Sequence, residues 1–519
     1  MGLLRDFAAT AIAGVLALSL QVKPASAGLE AHQLSGSLSL VENEELFTFK
    51  YSTPDPDPTN WVGLYHASGG GPDNEVYVQP SLVWQYTPAA EGTVHISVST
   101  LEPGDYKAFF LAKDGYKWVA KTIIVTLPQD SSLISFIVDE ITLQNARRGD
   151  FFHAGIGGLI SGGGGSTIEF TEVNSSEDWI EISANGTISG IPEPSSRRTY
   201  VEIEATASDG SSARINVTIP VRRAGVQLVS DLNVLTFNLW HGGTQVNDYH
   251  KKQVRFLVEH NVDIAGLQES TGGHATRLAQ ALGWYVWQSS DVGVISRYPI
   301  TEVFSEVSGA GAVKISLDGE KSELIVWDAH LGYDPYGPYD FCFDNMTLEQ
   351  VLAREAISNR TPQITGIMAA MKDQLANADK VPVLLLGDFN APSHLDWTEA
   401  AKDLHCGRFD VPWPTSIQPT EAGMIDSFRV AQPDPVEVPG ITWSPIFLTN
   451  NGRPEPLDRI DFIYYQGNLT VESSDILVEG NPAPEPNHQD NDWTSDHAAV
   501  LTVFKLPSNG LSPCVPRRR

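Results

Sequence analysis

The chain is 519 residues long, 41% hydrophobic and 9% aromatic, with a formal net charge of −30. At roughly 100–200 residues per domain that length calls for several domains, and the apolar share excludes a chain disordered throughout. So large an excess of carboxylates argues against holding nucleic acid by a broad basic face, but not against a phosphorylated substrate, because a bound divalent cation inverts the local field.

The chain opens on a secretory pattern. Arg5 precedes the apolar run Ala8–Leu20, and Ala25-Ser-Ala27 follows as an A-x-A-like cleavage site, so residues 1–27 are expected to be a signal peptide. The run falls short of the ~20 residues of a membrane span, and no later segment is long and apolar enough, so no transmembrane segment is expected. Six Asn-x-Ser/Thr tripeptides, at Asn174, Asn185, Asn216, Asn345, Asn359 and Asn468, suit a secreted, extracellular glycoprotein. The 3 cysteines make no disulfide framework. Cys342 and Cys406 are candidates for one bridge, with Cys514 left in a solvated tail, residues 507–519, that ends in Pro516-Arg-Arg-Arg519.

Residues 28–128 alternate apolar and polar positions in short runs, such as Trp61–Tyr65 and Tyr106–Phe110, separated by Pro/Asp-rich and Gly-rich turns. This pattern predicts an all-β sandwich. Trp84 and Tyr86 are expected to pack across strands. Asn60-Trp-Val-Gly-Leu-Tyr65 resembles the opening of SKICH-like or C2-like β-modules attached to lipid-handling enzymes, which keeps surface or membrane contact open. Residues 133–223 predict a second β-sandwich, with Gly157–Gly165 as a flexible hairpin or loop. Trp179–Pro192 resembles cadherin-like, immunoglobulin-like repeats found beside secreted enzymes. Both modules read as spacers or surface-binding appendages.

From Leu232 strands and helices alternate, which predicts an α/β domain over residues 231–506. Strands are expected at Val234–Leu239, Asp263–Leu267, Val292–Ile295, Leu324–Asp328, Val383–Leu386, Ile460–Tyr465 and Ala498–Phe504. Helices are expected at Tyr249–His260, His274–Leu282 and Leu348–Leu375, the last kinked or divided by Pro362. The Val383 strand runs into Gly387-Asp-Phe-Asn-Ala-Pro392, where Asp388 and Asn390, two apart, would share a face of a strand. Alone, this segment reads equally well as a strand closed by a turn.

The other strand ends supply partners. Asn238, Glu269 and His330 each follow a strand, Asp496-His497 precede one, and Arg459-Ile-Asp461 opens another. The set is carboxylates, amides and two histidines, which suits a hard divalent cation, Mg²⁺ or else Mn²⁺ or Ca²⁺, more than zinc. Asp458 competes with Asp461 as partner of a histidine, and Arg459 competes for Asp461. His241 and His274 could line the cleft, Arg354 and Arg360 read as structural ion-pair donors, and Gly332–Asn345 reads as a packed loop or a lip over the site.

The motifs Thr236-Phe-Asn-Leu-Trp240, Leu267-Gln-Glu-Ser270, Asp328-Ala-His-Leu331, Gly387-Asp-Phe-Asn390, Arg459-Ile-Asp-Phe-Ile463 and Ser495-Asp-His497 stand in the order of one family. The chain resembles the endonuclease/exonuclease/phosphatase superfamily, deoxyribonuclease I-like proteins included. The resemblance implies a four-layer αββα sandwich with its site at one edge. It implies Glu269 as principal metal ligand, with Asn238 and Asp496 beside the same ion. Asp388 would orient or deprotonate the attacking water, and Asn390 would hold a phosphoryl oxygen or a ligand water. His497 would be oriented by Asp461, and His330 would donate to a phosphoryl oxygen and help protonate the leaving group.

The expected activity is that of a phosphodiesterase on nucleic acid or phospholipid headgroups. A phosphomonoesterase on inositol or other sugar phosphates is the alternative, although Leu386 and Pro456-Leu-Asp-Arg459 depart from the inositol phosphatase pattern. From another class, a catalytically silent secreted binding or adhesion protein would use the same scaffold.

Overall fold

The computed structural model describes residues 23–24, 34–41, 47–98, 101, 104–127 and 133–507. The signal-peptide expectation falls outside them except at Lys23–Pro24, which pairs with Ile123–Ile124. Cys514 and residues 508–519 of the tail also lie outside. The chain divides into two compact units, 1–129 and 130–519. Among the described residues no helix is long and apolar enough to cross a membrane.

The first unit is built of strands. Its larger sheet runs in the order Lys23–Pro24, Ile123–Leu127, Gly104–Ala112, Trp61–His66, Val83–Tyr86, with Lys117–Trp118 also paired to Gly104–Ala112. A three-stranded sheet joins Ser37–Leu40, Thr48–Ser52 and Glu91–His95. Alternation decides what is buried: Val62, Leu64, Ala108 and Phe110 enter a core with Phe49 and Val94, while Trp61, Tyr65, Phe109 and Leu111 form a separate aromatic cluster.

Residues 133–222 also form small sheets. One runs Glu140–Thr142, Ser212–Ile219, Thr199–Ala207, Ile168–Ser175, and another Phe152–Gly155, Thr187–Gly190, Ile180–Ile182. This segment is no free spacer. Its core, with Ile156, Leu159, Ile188 and Ile203, is continuous with Val262, Leu278, Ala281 and Leu282 of the α/β domain. Gly157–Leu159 is a 3-10 turn where a flexible loop was expected. Gly158 is small because a Cβ there would lie 2.3 Å from the Gln280 carbonyl oxygen and 2.7 Å from Ala281 Cα. Arg147 pairs with Asp318, and Arg297 donates to the Thr142 carbonyl at 3.1 Å.

The α/β domain holds two six-stranded sheets. The first runs Tyr285–Gln288, Gly293–Ser296, Ile264–Gln268, Asp231–Asn238, Ala499–Lys505, Thr470–Leu477; the second runs Ile300–Val303, Ala310–Ser316, Glu323–His330, Val383–Asp388, Asp461–Gln466, Ile425–Asp426. The near-continuous apolar runs follow from burial of both faces. Val234, Ile264, Val326, Leu384, Leu386 and Ile463 meet between the sheets. The alternate residues Leu235, Phe237 and Leu267 pack against Val254, Leu257 and Leu278 of helices Tyr249–Glu259 and His274–Leu282. Val383, Leu385 and Phe462 pack against Ile364, Ile367 and Met371 of helix Arg360–Leu375. The layers are therefore helix, sheet, sheet, helix. Pro362 does not kink a long helix; it sits in the first turn of the second of two, after a break at Asn359, whose φ is 73°.

Candidate functional site

Strand register assembles the site. In the second sheet His330 lies opposite Asp388, and Asp388 opposite Asp461, so three neighbouring strands deliver a row of polar ends. In the first sheet Asn238 pairs with Gln268, which puts Glu269 beside it, and the Ala499–Lys505 strand that follows Asp496-His497 pairs with the strand ending at Asn238. The eight residues singled out from the sequence meet at one edge of the two sheets.

Asp388 is the centre. Its Oδ2 accepts from Asn238 Nδ2 at 3.0 Å and Asn390 Nδ2 at 3.2 Å, and faces His330 Nε2 at 3.6 Å and His497 Nε2 at 3.7 Å. Burial pushes its carboxyl up to about 6 against the pull of His497 and His330. Each imidazole has a carboxylate behind it: His497 Nδ1 bonds Asp461 Oδ2 at 2.9 Å, and His330 Nδ1 bonds Asp291 Oδ2 at 2.6 Å. Burial alone would lower both histidines. Asp291, Asp388 and Glu269 outweigh it and raise His330 to about 9; Asp461 and Asp388 raise His497 well above the usual imidazole range. The neighbouring carboxylates therefore favour the charged form of both imidazoles.

The structure separates the competing readings. Arg459 is spent on Asp396 and Asp426, at 2.8 and 2.7 Å, so it does not neutralise Asp461. Asp458 accepts from Trp397 Nε1 at 2.9 Å and stays off His497. Arg354 pairs with Asp340, and the buried Arg360 pairs with Glu355 while donating to the carbonyls of Gly332, Tyr333 and Pro335. It thereby fastens the Gly332–Asn345 segment, which carries helix Gly337–Cys342 and is tied by a Cys342–Cys406 disulfide.

Two details differ from the expectations. Asn390 does not share a strand face with Asp388: the strand stops at Asp388, and Asn390 has φ 50°. It returns through a turn in which its N–H bonds Asp388 Oδ1 at 2.8 Å. Both hydrogens of its amide are committed, to Leu331 O at 3.0 Å and to Asp388, so here it orients Asp388 rather than offering a donor to substrate. Asn238 likewise donates to Glu269 and Asp388, and its Oδ1 accepts from the Trp240 N–H at 2.9 Å.

The residue that sequence reasoning missed is Asp291. It sits in the Ser289–Asp291 turn, where an aspartate is so common that no local signal marks it. Trp443 was also unmarked; its ring lies 5.0 Å from that of His497. His241, more than half exposed, gives its N–H to Glu269 Oε2 at 2.6 Å, whereas His274 packs in the helix layer against Tyr249.

The donor set fits a hard divalent cation. Asp388, Asp461 and His497 form a buried cluster whose ligand atoms lie within 4.8 Å of one another. The Asp461–His497 hydrogen bond already occupies two of those three groups. Next to them Asp496 Oδ1 is buried with no hydrogen-bond partner. Burial raises the Asp496 carboxyl to about 8, with repulsion from Glu269 and Asp388 set against attraction by His497. Burial also disfavours charge on Glu269, yet His241 and His330 hold it below its ordinary range. Charged oxygens crowded around an unsatisfied carboxylate oxygen are what a divalent cation relieves.

The endonuclease/exonuclease/phosphatase family profile matches residues 235–497. An uncharacterized protein of Caenorhabditis elegans is 35% identical over 293 residues, 53% of this chain and 91% of that protein. Among solved structures, a truncated Caenorhabditis elegans TDP2 is similar at 15% identity and a TM-score of 0.36, over 53% of this chain and 98% of that one. An AP endonuclease from Archaeoglobus fulgidus is similar at 15% identity and a TM-score of 0.35, over 53% and 99% of the two chains. With the profile spanning the strands that carry the site, this chain belongs to the endonuclease/exonuclease/phosphatase family.

Proposed function

We propose that the protein is a secreted, divalent-metal-dependent phosphodiesterase acting on nucleic acid or phospholipid headgroups, its catalytic domain preceded by two β-sandwich modules. One observation carries the reading: the Asp388 carboxylate stands between two imidazoles, each hydrogen-bonded on its other nitrogen to a further carboxylate, Asp461 or Asp291. In-line attack on a phosphodiester gathers negative charge on the equatorial oxygens. Nε2–H of His330 and of His497 would donate to those oxygens, and Asp388 would accept the proton of the attacking water. Asn238 and Asn390 fix the Asp388 rotamer.

Glu269 and Asp496 would hold Mg²⁺ (or Mn²⁺ or Ca²⁺), with Asn238 beside them donating to Glu269. When bound, the ion would supply positive charge to a phosphoryl oxygen. Protonated His330 is then placed to return a proton to the leaving oxygen.

Titration of Mg²⁺ and Mn²⁺ against bis-p-nitrophenyl phosphate tests the reading, with DNA, RNA and phospholipid vesicles assayed in parallel. Metal-dependent turnover of the diester, strongly reduced in His497→Ala, is expected. Absence of metal-dependent turnover, or undiminished turnover in that variant, would leave a silent binding protein as the better description.

A further inference from the structure

Two hydrogen bonds of the site join the end of one sheet to the end of the other: Asn238 Nδ2 to Asp388 Oδ2 at 3.0 Å, and His330 Nδ1 to Asp291 Oδ2 at 2.6 Å. Their geometry therefore depends on how the two sheets are seated on each other. Further from the site that seating is apolar, with Val234 and Ile264 on one side and Val326 and Leu386 on the other. Apolar faces tolerate repacking, and a unique fit is the first property they lose.

Directly under the site the apolar pattern breaks. Two residues past Val234 and Val326 on the same strand faces stand Thr236 and Asp328, and Gln268 stands four past Ile264. All three are fully buried. Gln268 Nε2 donates to Thr236 Oγ1 at 3.1 Å within its own sheet and to Asp328 Oδ1 at 2.5 Å across the gap, while Asp328 Oδ2 accepts from the Gly293 N–H at 3.3 Å. Gly266 leaves the room, because a Cβ there would lie 2.8 Å from Asp328 Oδ1. Asp328 thus ties its own strand, which ends in His330, to the strand that runs into Glu269 and to the one that follows Asp291. Polar groups are costly to bury in such a place, and Gln268 Oε1 is buried with no hydrogen-bond partner. Burial pushes the Asp328 carboxyl up to about 8 against the pull of the Gln268 amide, which favours the neutral acid.

We infer that Asp328, acting with Gln268, is a positioning residue that fixes the seat of one sheet on the other, so that Asn238 and Asp291 meet Asp388 and His330. Net stability is not what the set contributes, since apolar side chains of the same shape would fill the space about as well.

The test compares wild type with Asp328→Asn, which keeps a neutral polar group of the same shape, and with Thr236→Val/Gln268→Met/Asp328→Leu, which replaces the polar set by apolar side chains of similar size. The full chain carrying ¹⁵N-histidine is read by NMR for the His330 Nδ1–H resonance, identified by its loss in His330→Asn, by thermal melting, and by Mn²⁺-dependent turnover of bis-p-nitrophenyl phosphate. Asp328→Asn should stay close to wild type in all three. The triple variant should melt at the wild-type temperature or above, show the resonance broadened or split, and lose turnover by about tenfold or more. An unchanged resonance in the triple variant would overturn the inference, as would a melting temperature and turnover that fall together, or an Asp328→Asn variant that behaves like the triple one. Only the turnover arm rests on the proposed phosphodiesterase activity: an inert wild type, with the resonance split in the triple variant, would remove that activity and support the positioning role.

Discussion

Acid sensitivity of the α/β unit should come largely from two histidines away from the proposed chemistry. His250 and His274 lie in the helix layer around Arg277, whose guanidinium contacts His250 Nδ1, donates to Gln253 Oε1 at 2.8 Å and lies over the Tyr249 ring at 4.9 Å. The His274 ring occupies the space that a Cβ on Gly242 would fill, 2.2 Å away. Burial first, then the Arg277 charge, pushes both imidazoles from 6.5 down to about 3. Between those values the unfolded chain binds the protons and the folded chain does not, so stability is present above about pH 6.5 and is lost as pH falls towards 3. At pH 5 the unfolded groups are about 1.5 units below their midpoint, worth roughly 2 kcal/mol each and about 4 kcal/mol together at ~1.36 kcal/mol per unit. Other groups titrate too, so the measurement is a difference. Urea unfolding of wild type and of His250→Gln/His274→Gln at pH 7 and pH 5 should show the variant losing about 4 kcal/mol less across that interval. Equal losses in the two proteins would refute the account.

Gly158→Ala drives a methyl group against the backbone of Gln280 and Ala281, and should cost about 1–3 kcal/mol in urea unfolding; an unchanged midpoint would show that residues 133–222 are not seated on the helix as described. Asp291→Asn removes the charge that leads the elevation of His330, so the imidazole should titrate towards 6.5 by NMR. Turnover at pH 8 should then fall about tenfold or more, with a smaller loss at pH 6. Reduction of Cys342–Cys406, which closes a separation of 64 residues, should destabilise the lip side of the domain by about 4 kcal/mol on the chain-entropy account, read as a lower thermal midpoint under reductant.

Much of this was legible because strands buried on both faces leave plain apolar runs, and their polar ends stand out. Val234–Phe237 before Asn238 and Val383–Leu386 before Asp388 are examples. The six motifs named the family before any geometry was known. Orientation was less legible. Asp291 supports His330 from a turn that looks like any other, and only the closeness of two strands makes the pair. Gly157-Gly158 looked like slack in the chain, yet these glycines allow two backbones to touch, a long-range requirement that leaves no local mark.

The same limit explains why period-two reasoning put Asp388 and Asn390 on one strand face, which the structure does not. Glu269 and Asn390 each lie just past the end of a strand, at φ 52° and 50°, and Trp240 and His241 are also left-handed, at 55° and 53°. Alternation along a strand says nothing about such positions, because the chain has already turned. Non-glycine residues held there cost on the order of 1–3 kcal/mol each when strained, so surrounding contacts must hold them. Those contacts are visible: Asn390 is held by Asp388 and the Leu331 carbonyl, His241 by Glu269, and Trp240 by Asn238. Asn390 to Asp388 and Trp240 to Asn238 each close a single turn, while Asn390 to Leu331 and His241 to Glu269 join separate segments of the site. The polar groups therefore fix one another's geometry, and removing one, as in Asn238→Ala, should disturb Asp388 and Trp240 together rather than delete a single contact.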